Sequence, residues 1–208
     1  GGTAADAAIA ANAVMGVMEP TGNGIGGDLF ALVYDAARND VQSLNASGWA
    51  PSGLAAFLRQ RGDTAMPQRG IHAATVPGVV AGWDALRTRY GTKPFAELLA
   101  PAIRYAEEGA PIAEITAGLW TNSVRLLAAH PNSKATFLID GTRAPRAGEL
   151  FRNPDLARSL RLIARDGRRA YYEGPIAQAI LAISAEQGGT FTAADLADFR
   201  PEWTPTIS

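Results

Sequence analysis

Thr21-Gly22-Asn23-Gly24-Ile25-Gly26-Gly27, then Leu29-Phe30-Ala31-Leu32-Val33-Tyr34, then Asp35-Ala36-Ala37-Arg38-Asn39-Asp40 and the segment Val41 to Ala46: these residues decide the fold. The first seven carry too many glycines for a regular interior, and the next six form an apolar run of strand length. The hexapeptide from Asp35 to Asp40 has the composition of a turn, so Val41 to Ala46 is predicted to return antiparallel as the second strand of a hairpin. The first strand is apolar enough to be buried on both faces.

Upstream of the glycines, the alanine-rich segment Ala4 to Val17 is predicted helical, because small side chains lose little rotamer freedom in a helix. Thr3 or Asp6 caps it and Glu19-Pro20 ends it. Downstream, from Pro51 onward, the period turns helical. Pro77, Pro94, Pro154 and Pro175 stand near helix starts, and Gly109 and Gly167 just past helix ends. Leu156, Leu160 and Ile163 repeat on one face between Asn153 and Gly167. Thr192-Ala193-Ala194-Asp195 has the form of a capping box, with Asp for the usual Glu, opening a short helix to Asp198. This reading gives about six helices and no internal repeat. A helix, a hairpin and then a helical lobe make an α+β chain and exclude the strand–helix alternation of a doubly wound sheet.

Length and composition agree with one sizeable domain: 208 residues, 47% hydrophobic and 19% charged, are enough to bury a core. Nineteen basic against 20 acidic residues leave a net charge of −1, with no basic cluster for nucleic acid or an anionic membrane. The absence of cysteine removes disulfides, thiolate nucleophiles and cysteine metal sites together, and His72 and His130 have no metal-ligand spacing. Catalysis would have to use oxygen nucleophiles, carboxylates, amines or backbone amides. The longest apolar stretch, Ala7 to Met18, is interrupted by Asn12 and Gly16 and falls short of the roughly 20 residues of a membrane span. The sequence opens on Gly1-Gly2 without methionine and closes on Thr206-Ile207-Ser208 just after a Trp-Thr-Pro turn, so it is expected to be a piece of a longer protein.

Three motif readings fail on their context. Gly22, Gly24 and Gly27 spell G-x-G-x-x-G, but a dinucleotide site needs a strand before the glycines and a helix after them, and here the order is reversed. Their remaining use is to permit positive φ or the close approach of a backbone or ligand. No G-x-S-x-G elbow occurs, and both histidines read as structural. Glu107 and Glu108, adjacent on a helix, point about 100° apart and form a solvated helix end, not a catalytic carboxylate pair.

Several spaced segments together resemble one family. Gly1-Gly2-Thr3-Ala4-Ala5-Asp6-Ala7-Ala8, Glu19-Pro20 and Gly24-Ile25-Gly26-Gly27-Asp28-Leu29-Phe30-Ala31-Leu32-Val33-Tyr34-Asp35 are similar to the start of the γ-glutamyltranspeptidases. The likeness continues in Val76-Pro77-Gly78-Val79-Val80-Ala81-Gly82, in the stretch from Gly91-Thr92-Lys93-Pro94 to Pro101-Ala102-Ile103, in Tyr172-Glu173-Gly174, in Gly188-Gly189 and in Asp195-Leu196.

The resemblance implies an N-terminal-nucleophile hydrolase with an αββα sandwich, made as a precursor that cleaves itself to free a threonine at the head of a small subunit. That threonine would be both nucleophile and base, and no metal or organic cofactor is required. Cleavage in the family lies well downstream of Trp203-Thr204-Pro205, so residues 1–208 correspond to part of the large subunit: a core helix and hairpin over 1–50 and a mainly helical lobe over 51–208. Such a part is expected to be inert alone, to have the small subunit as partner, and to expose apolar surface that drives aggregation or homodimerisation.

The family places an arginine for the substrate α-carboxylate after the first hairpin. Here that segment is Asn45-Ala46-Ser47-Gly48-Trp49-Ala50-Pro51, without arginine. Anchored on Ala-Pro, the arginine falls on Ser47 in the transpeptidase pattern and on Trp49 in the Gly-Arg-Ala-Pro pattern of acylases and amidohydrolases. Ser47, Gly48 and Trp49 are the resulting candidates for contact with a small-molecule amide substrate, and Asp28, where transpeptidases carry another glycine, points to the same divergent branch. Two functions stay open: an amidohydrolase or acyltransferase subunit in the manner of oxamate amidohydrolases or cephalosporin acylases, and a non-catalytic homologue kept as a binding or structural module.

Overall fold

Thr3 opens the first helix with a reciprocal pair of hydrogen bonds: its hydroxyl accepts from the Asp6 amide at 3.2 Å and its own amide donates to the Asp6 carboxylate at 2.8 Å. This is a capping box with Asp in the acidic position. The computed structural model describes residues 1–206; the last two of Thr206-Ile207-Ser208 lie outside the described residues.

In chain order the elements are α1 (Ala4–Met18), β1 (Leu29–Asp35), β2 (Asp40–Ala46), α2 (Leu54–Arg61), a 3-10 turn (Ile71–Ala73), α3 (Val79–Tyr90), α4 (Phe95–Glu108), β3 (Ala110–Pro111), α5 (Glu114–Leu127), α6 (Pro131–Phe137), β4 (Leu150–Phe151), α7 (Pro154–Asp166), α8 (Arg168–Tyr172), α9 (Pro175–Glu186), α10 (Ala193–Ala197) and β5 (Glu202–Thr204). Ten α-helices thus stand among the described residues where periodicity alone suggests about six, because pieces such as α8 are too short to display a period. The predicted punctuation holds: Pro154 and Pro175 open α7 and α9, Pro94 and Gly109 flank α4, and Thr192 and Asp195 form the second capping box, at α10.

The chain divides into two compact units, Gly1–Gly24 with Gly91–Arg165, and Ile25–Tyr90 with Asp166–Ser208. In the first, α1 packs on α4 through Ile9, Ala13 and Val17 on one side and Leu98, Leu99, Ala102 and Ala106 on the other, all buried. A second cluster gathers Trp120, Phe137 and Phe151, with Trp120 edge-on to Phe151 at 4.8 Å and its indole N–H donated to the Phe137 carbonyl at 2.9 Å. Asp6 also ties α1 to the turn before α4, accepting from the Thr92 amide at 3.1 Å, the Thr92 hydroxyl at 2.8 Å and the Lys93 amide at 3.3 Å.

The second unit is built on an antiparallel sheet of order β1-β2-β5. Leu29 pairs with Ala46 at one end of the hairpin and Asp35 with Asp40 at the other, and Ser43 pairs with Thr204 across to β5. Helix α3 lies against one face at Gly82, where a Cβ would stand 2.9 Å from Leu29 Cδ2 and 3.0 Å from Ala46 Cβ. On that side Leu29, Ala31 and Val33 are half-buried. Phe30, Leu32 and Tyr34 turn the other way and are 68%, 73% and 62% exposed, so β1 buries one face within this chain and not two.

Two carboxylates of the first unit make folding acid-sensitive. Hydrogen bonds from the Thr3 amide, then from Thr92 and Lys93, hold Asp6 well below the usual carboxylate range. The Arg143 guanidinium, followed by the Arg146 amide, lowers Glu149 from 4.5 to about 2. Both groups titrate lower folded than unfolded, so the unfolded chain binds more protons in the intervening window and stability falls as pH falls. We expect a melting temperature that is level from pH 7 to about 5.5 and declines steeply below about 4.5, with the decline shallower in Glu149→Gln. Thermal melts at steps of pH check this; a melting temperature constant down to about pH 3 would remove both groups from the account.

Candidate functional site

The β1–β2 ladder stops at Leu29 and Ala46, which leaves Asp28 and Ser47 facing each other as the first residues beyond it. The Asp28 carboxylate spans the gap: Oδ1 accepts from the Gly48 amide at 2.9 Å and Oδ2 from the Ser47 hydroxyl at 3.2 Å. From the other side Asn45 Oδ1 accepts the Ser47 amide at 2.9 Å. Ser47 and Gly48 are therefore held by side chains on both strands, while Ser47, Trp49 and Asp28 remain exposed.

Behind this tip two backbones touch. A Cβ on Gly48 would lie 1.5 Å from the Val76 carbonyl oxygen, and one on Gly78 would lie 1.8 Å from the Ala46 carbonyl oxygen. Neither glycine has a positive φ, so what each supplies is absence of bulk. The contact is laced by hydrogen bonds: the Val76 amide donates to the Trp49 carbonyl at 3.0 Å, and the Gly78 and Val79 amides donate to the Gly27 carbonyl at 2.9 and 3.0 Å. The glycines of the 22–27 loop behave differently. Gly24 and Gly26 would have open space around a Cβ, whereas one on Gly22 would lie 2.9 Å from Glu19 Oε1; no residue of the loop has positive φ, so neither conformational freedom nor close approach within the chain explains Gly24 and Gly26.

Two adjacent tyrosines fix the platform from below. The Tyr172 hydroxyl donates to the Pro77 carbonyl at 2.7 Å and accepts from the Ala81 amide at 3.1 Å, satisfying a donor that the first turn of α3 would otherwise leave unpaired. The Tyr171 hydroxyl donates to the Ile25 carbonyl at 2.6 Å. Burial pushes both phenols above their ordinary range, so they stay protonated as donors. Phe199 stacks on Tyr172 at 6.0 Å and receives the edge of Trp49 at 5.1 Å. Trp49 is 43% exposed, which makes its ring part of the surface of the tip and not of the core.

Ser47, Gly48 and Trp49 are thus brought together on one corner with Asp28; segments 25–29 and 45–51 contain no arginine or lysine, and Arg168 and Arg200 donate to the carbonyl of Phe199, on whose ring Trp49 packs. His72 stacks on Phe57 at 4.6 Å, and Glu107 pairs with Arg161. Among the described residues no group of three His, Asp or Glu side chains is placed to hold a metal ion, and no helix is long and apolar enough to cross a membrane. The tie between Asp28 and Ser47 was open to the sequence: a hairpin with the turn at 35–40 puts residue 28 opposite residue 47. The roles of Tyr171 and Tyr172 had no such signal.

Comparison with known proteins covers the chain from end to end. The gamma-glutamyltranspeptidase family model matches residues 1–208. The glutathione hydrolase-like YwrD proenzyme of Bacillus subtilis is 38% identical over the whole of this chain and 39% of its own length. The oxamate amidohydrolase proenzyme of Klebsiella pneumoniae is 40% identical over 94% of this chain and 38% of its own length. The crystal structure of cephalosporin acylase from Bacillus halodurans superposes on 99% of this chain and 39% of that one with a TM-score of 0.90 at 39% identity. The chain spans about two fifths of the length of the curated relatives it matches, and its α+β arrangement is that of N-terminal-nucleophile hydrolases of this family.

Proposed function

Because the chain belongs to the γ-glutamyltranspeptidase family, we propose that residues 1–208 form part of the large subunit of a self-processing amidohydrolase or acyltransferase, with the nucleophilic threonine outside them. The observation that carries this reading is the end-to-end match to proenzymes of which the chain spans only two fifths. Residues 1–50 supply a core helix and hairpin and 51–208 the mainly helical lobe. In this reading the exposed face of Phe30, Leu32 and Tyr34 is covered by the small subunit cut from the same precursor.

The chemistry is acyl transfer. The threonine hydroxyl attacks the amide carbonyl while its own amine takes the proton and passes it to the departing amine of the substrate; water or a second amine, deprotonated in turn by the same amine, then takes the acyl group and frees the hydroxyl. What this chain contributes is recognition. Ser47, Gly48 and Trp49 line the acyl pocket on a corner tied by hydrogen bonds to Asp28, Asn45 and Val76. The lack of a guanidinium there leaves a substrate α-carboxylate without a charge-assisted partner, so γ-glutamyl compounds are poor donors and the substrate is another small amide.

Full-length protein expressed from the complete reading frame is expected to resolve into two associated chains on denaturing electrophoresis. A single uncleaved species after long incubation would overturn the enzyme reading in favour of a non-catalytic homologue.

A further inference from the structure

The tip formed by segments 25–29, 45–51 and 74–79 contains one ionisable side chain, Asp28. Its carboxylate is exposed, and among the described residues no ion pair engages it. Two protons of the tip are committed to this carboxylate. The Ser47 hydroxyl gives its single proton to Asp28 Oδ2, and the Gly48 amide gives its proton to Oδ1. Each carboxylate oxygen keeps a further lone pair, and the Ser47 oxygen, its hydrogen spent, keeps its own. These three oxygens can only accept, and they carry one full negative charge. A ligand carboxylate meets lone pairs and repulsion there, whereas an ammonium group meets acceptors and opposite charge. The exposed ring of Trp49, next along the chain, offers a face that also favours a cation.

We infer that Asp28, backed by Ser47 and Gly48, is a specificity-determining residue that selects acyl donors carrying a protonated amine and turns away those carrying a carboxylate. The inference rests on the reading above that residues 47–49 line the acyl pocket. It names the tail of the acyl group, not the bond that is cut.

The test uses full-length protein and p-nitroanilides of one chain length: 5-aminopentanoyl, 4-carbamoylbutanoyl and 4-carboxybutanoyl. We expect kcat/KM to be highest for the amine, intermediate for the carboxamide and lowest for the acid, with amine over acid by about thirtyfold at low salt. Asp28→Asn keeps the shape of the side chain and is expected to bring that ratio to within about threefold, as raised salt does in part. A ratio at or below unity in the parent protein overturns the inference. So does an Asp28→Asn protein in which all three anilides slow equally, because that is the signature of a residue that only positions Ser47 and Gly48. Should no anilide be hydrolysed, the proposed activity fails, and calorimetric binding of 5-aminopentanamide against glutarate decides the subsite alone: binding lost in Asp28→Asn supports it, and no binding by the parent protein overturns it.

Discussion

Gly48→Ala is expected to lower the melting temperature by roughly 10 °C and to remove selective binding at the tip. The added Cβ would stand 1.5 Å from the Val76 oxygen and 2.6 Å from its carbon, distances that no rotamer can relieve because both partners are main chain. Either segment could yield only by breaking other bonds. Residues 76–79 are tied to Trp49 and Gly27 by three amide donors and to Tyr172 through Pro77; residues 47–48 are tied to Asp28 and Asn45. Overpacking with loss of such bonds costs about 3–5 kcal/mol, and each kcal/mol is worth about 2–4 °C at this size. Gly78→Ala, 1.8 Å from the Ala46 oxygen, should behave alike. Gly24→Ala and Gly26→Ala, with nothing within 4 Å, should fall within about 0.5 kcal/mol of the parent. Circular-dichroism melts of the four variants check the contrast; Gly48→Ala melting within about 2 °C of the parent would show that the corner is plastic.

That contrast also shows what the sequence could and could not reveal. Local composition draws attention to the 22–27 loop, where Gly24 and Gly26 have room, and not to Gly48 and Gly78, whose need for a missing side chain depends on segments about thirty residues away. The hairpin, both capping boxes and the proline starts were legible because each is set by neighbours within a few residues. Burial of β1 was not, since a continuous apolar run gives no sign of which face waits for a partner. The Asp28–Ser47 tie was within reach through the hairpin register. The Tyr171 and Tyr172 hydroxyls, which bridge 146 and 95 residues of chain, lay beyond any local reading.

Restoring an arginine at position 47 is expected to change donor preference only when Asp28 is neutralised as well. At position 47 a new guanidinium would grow from the site that already touches the Asp28 carboxylate, and the two charges would pair with each other before either met a ligand. Ser47→Arg alone should therefore leave γ-glutamyl p-nitroanilide nearly as poor a donor as before. Ser47→Arg with Asp28→Asn frees the guanidinium for the α-carboxylate and should raise kcat/KM by about ten- to thirtyfold, or 1–2 kcal/mol. Position 49 starts from a different contact. Trp49→Arg gives up an edge-to-ring contact with Phe199 at 5.1 Å, worth about 1 kcal/mol, and since the ring is 43% exposed the variant should fold and melt only about 2–4 °C lower. Its longer tether to Asp28 makes the gain less dependent on the second substitution. Kinetics and melting temperatures for the two single and two double variants then read the geometry directly. A gain at 47 that requires Asp28→Asn assigns the α-carboxylate position to Ser47, and a gain at 49 without it assigns that position to Trp49. Four stable proteins with unchanged preference would take the whole corner out of the acyl pocket.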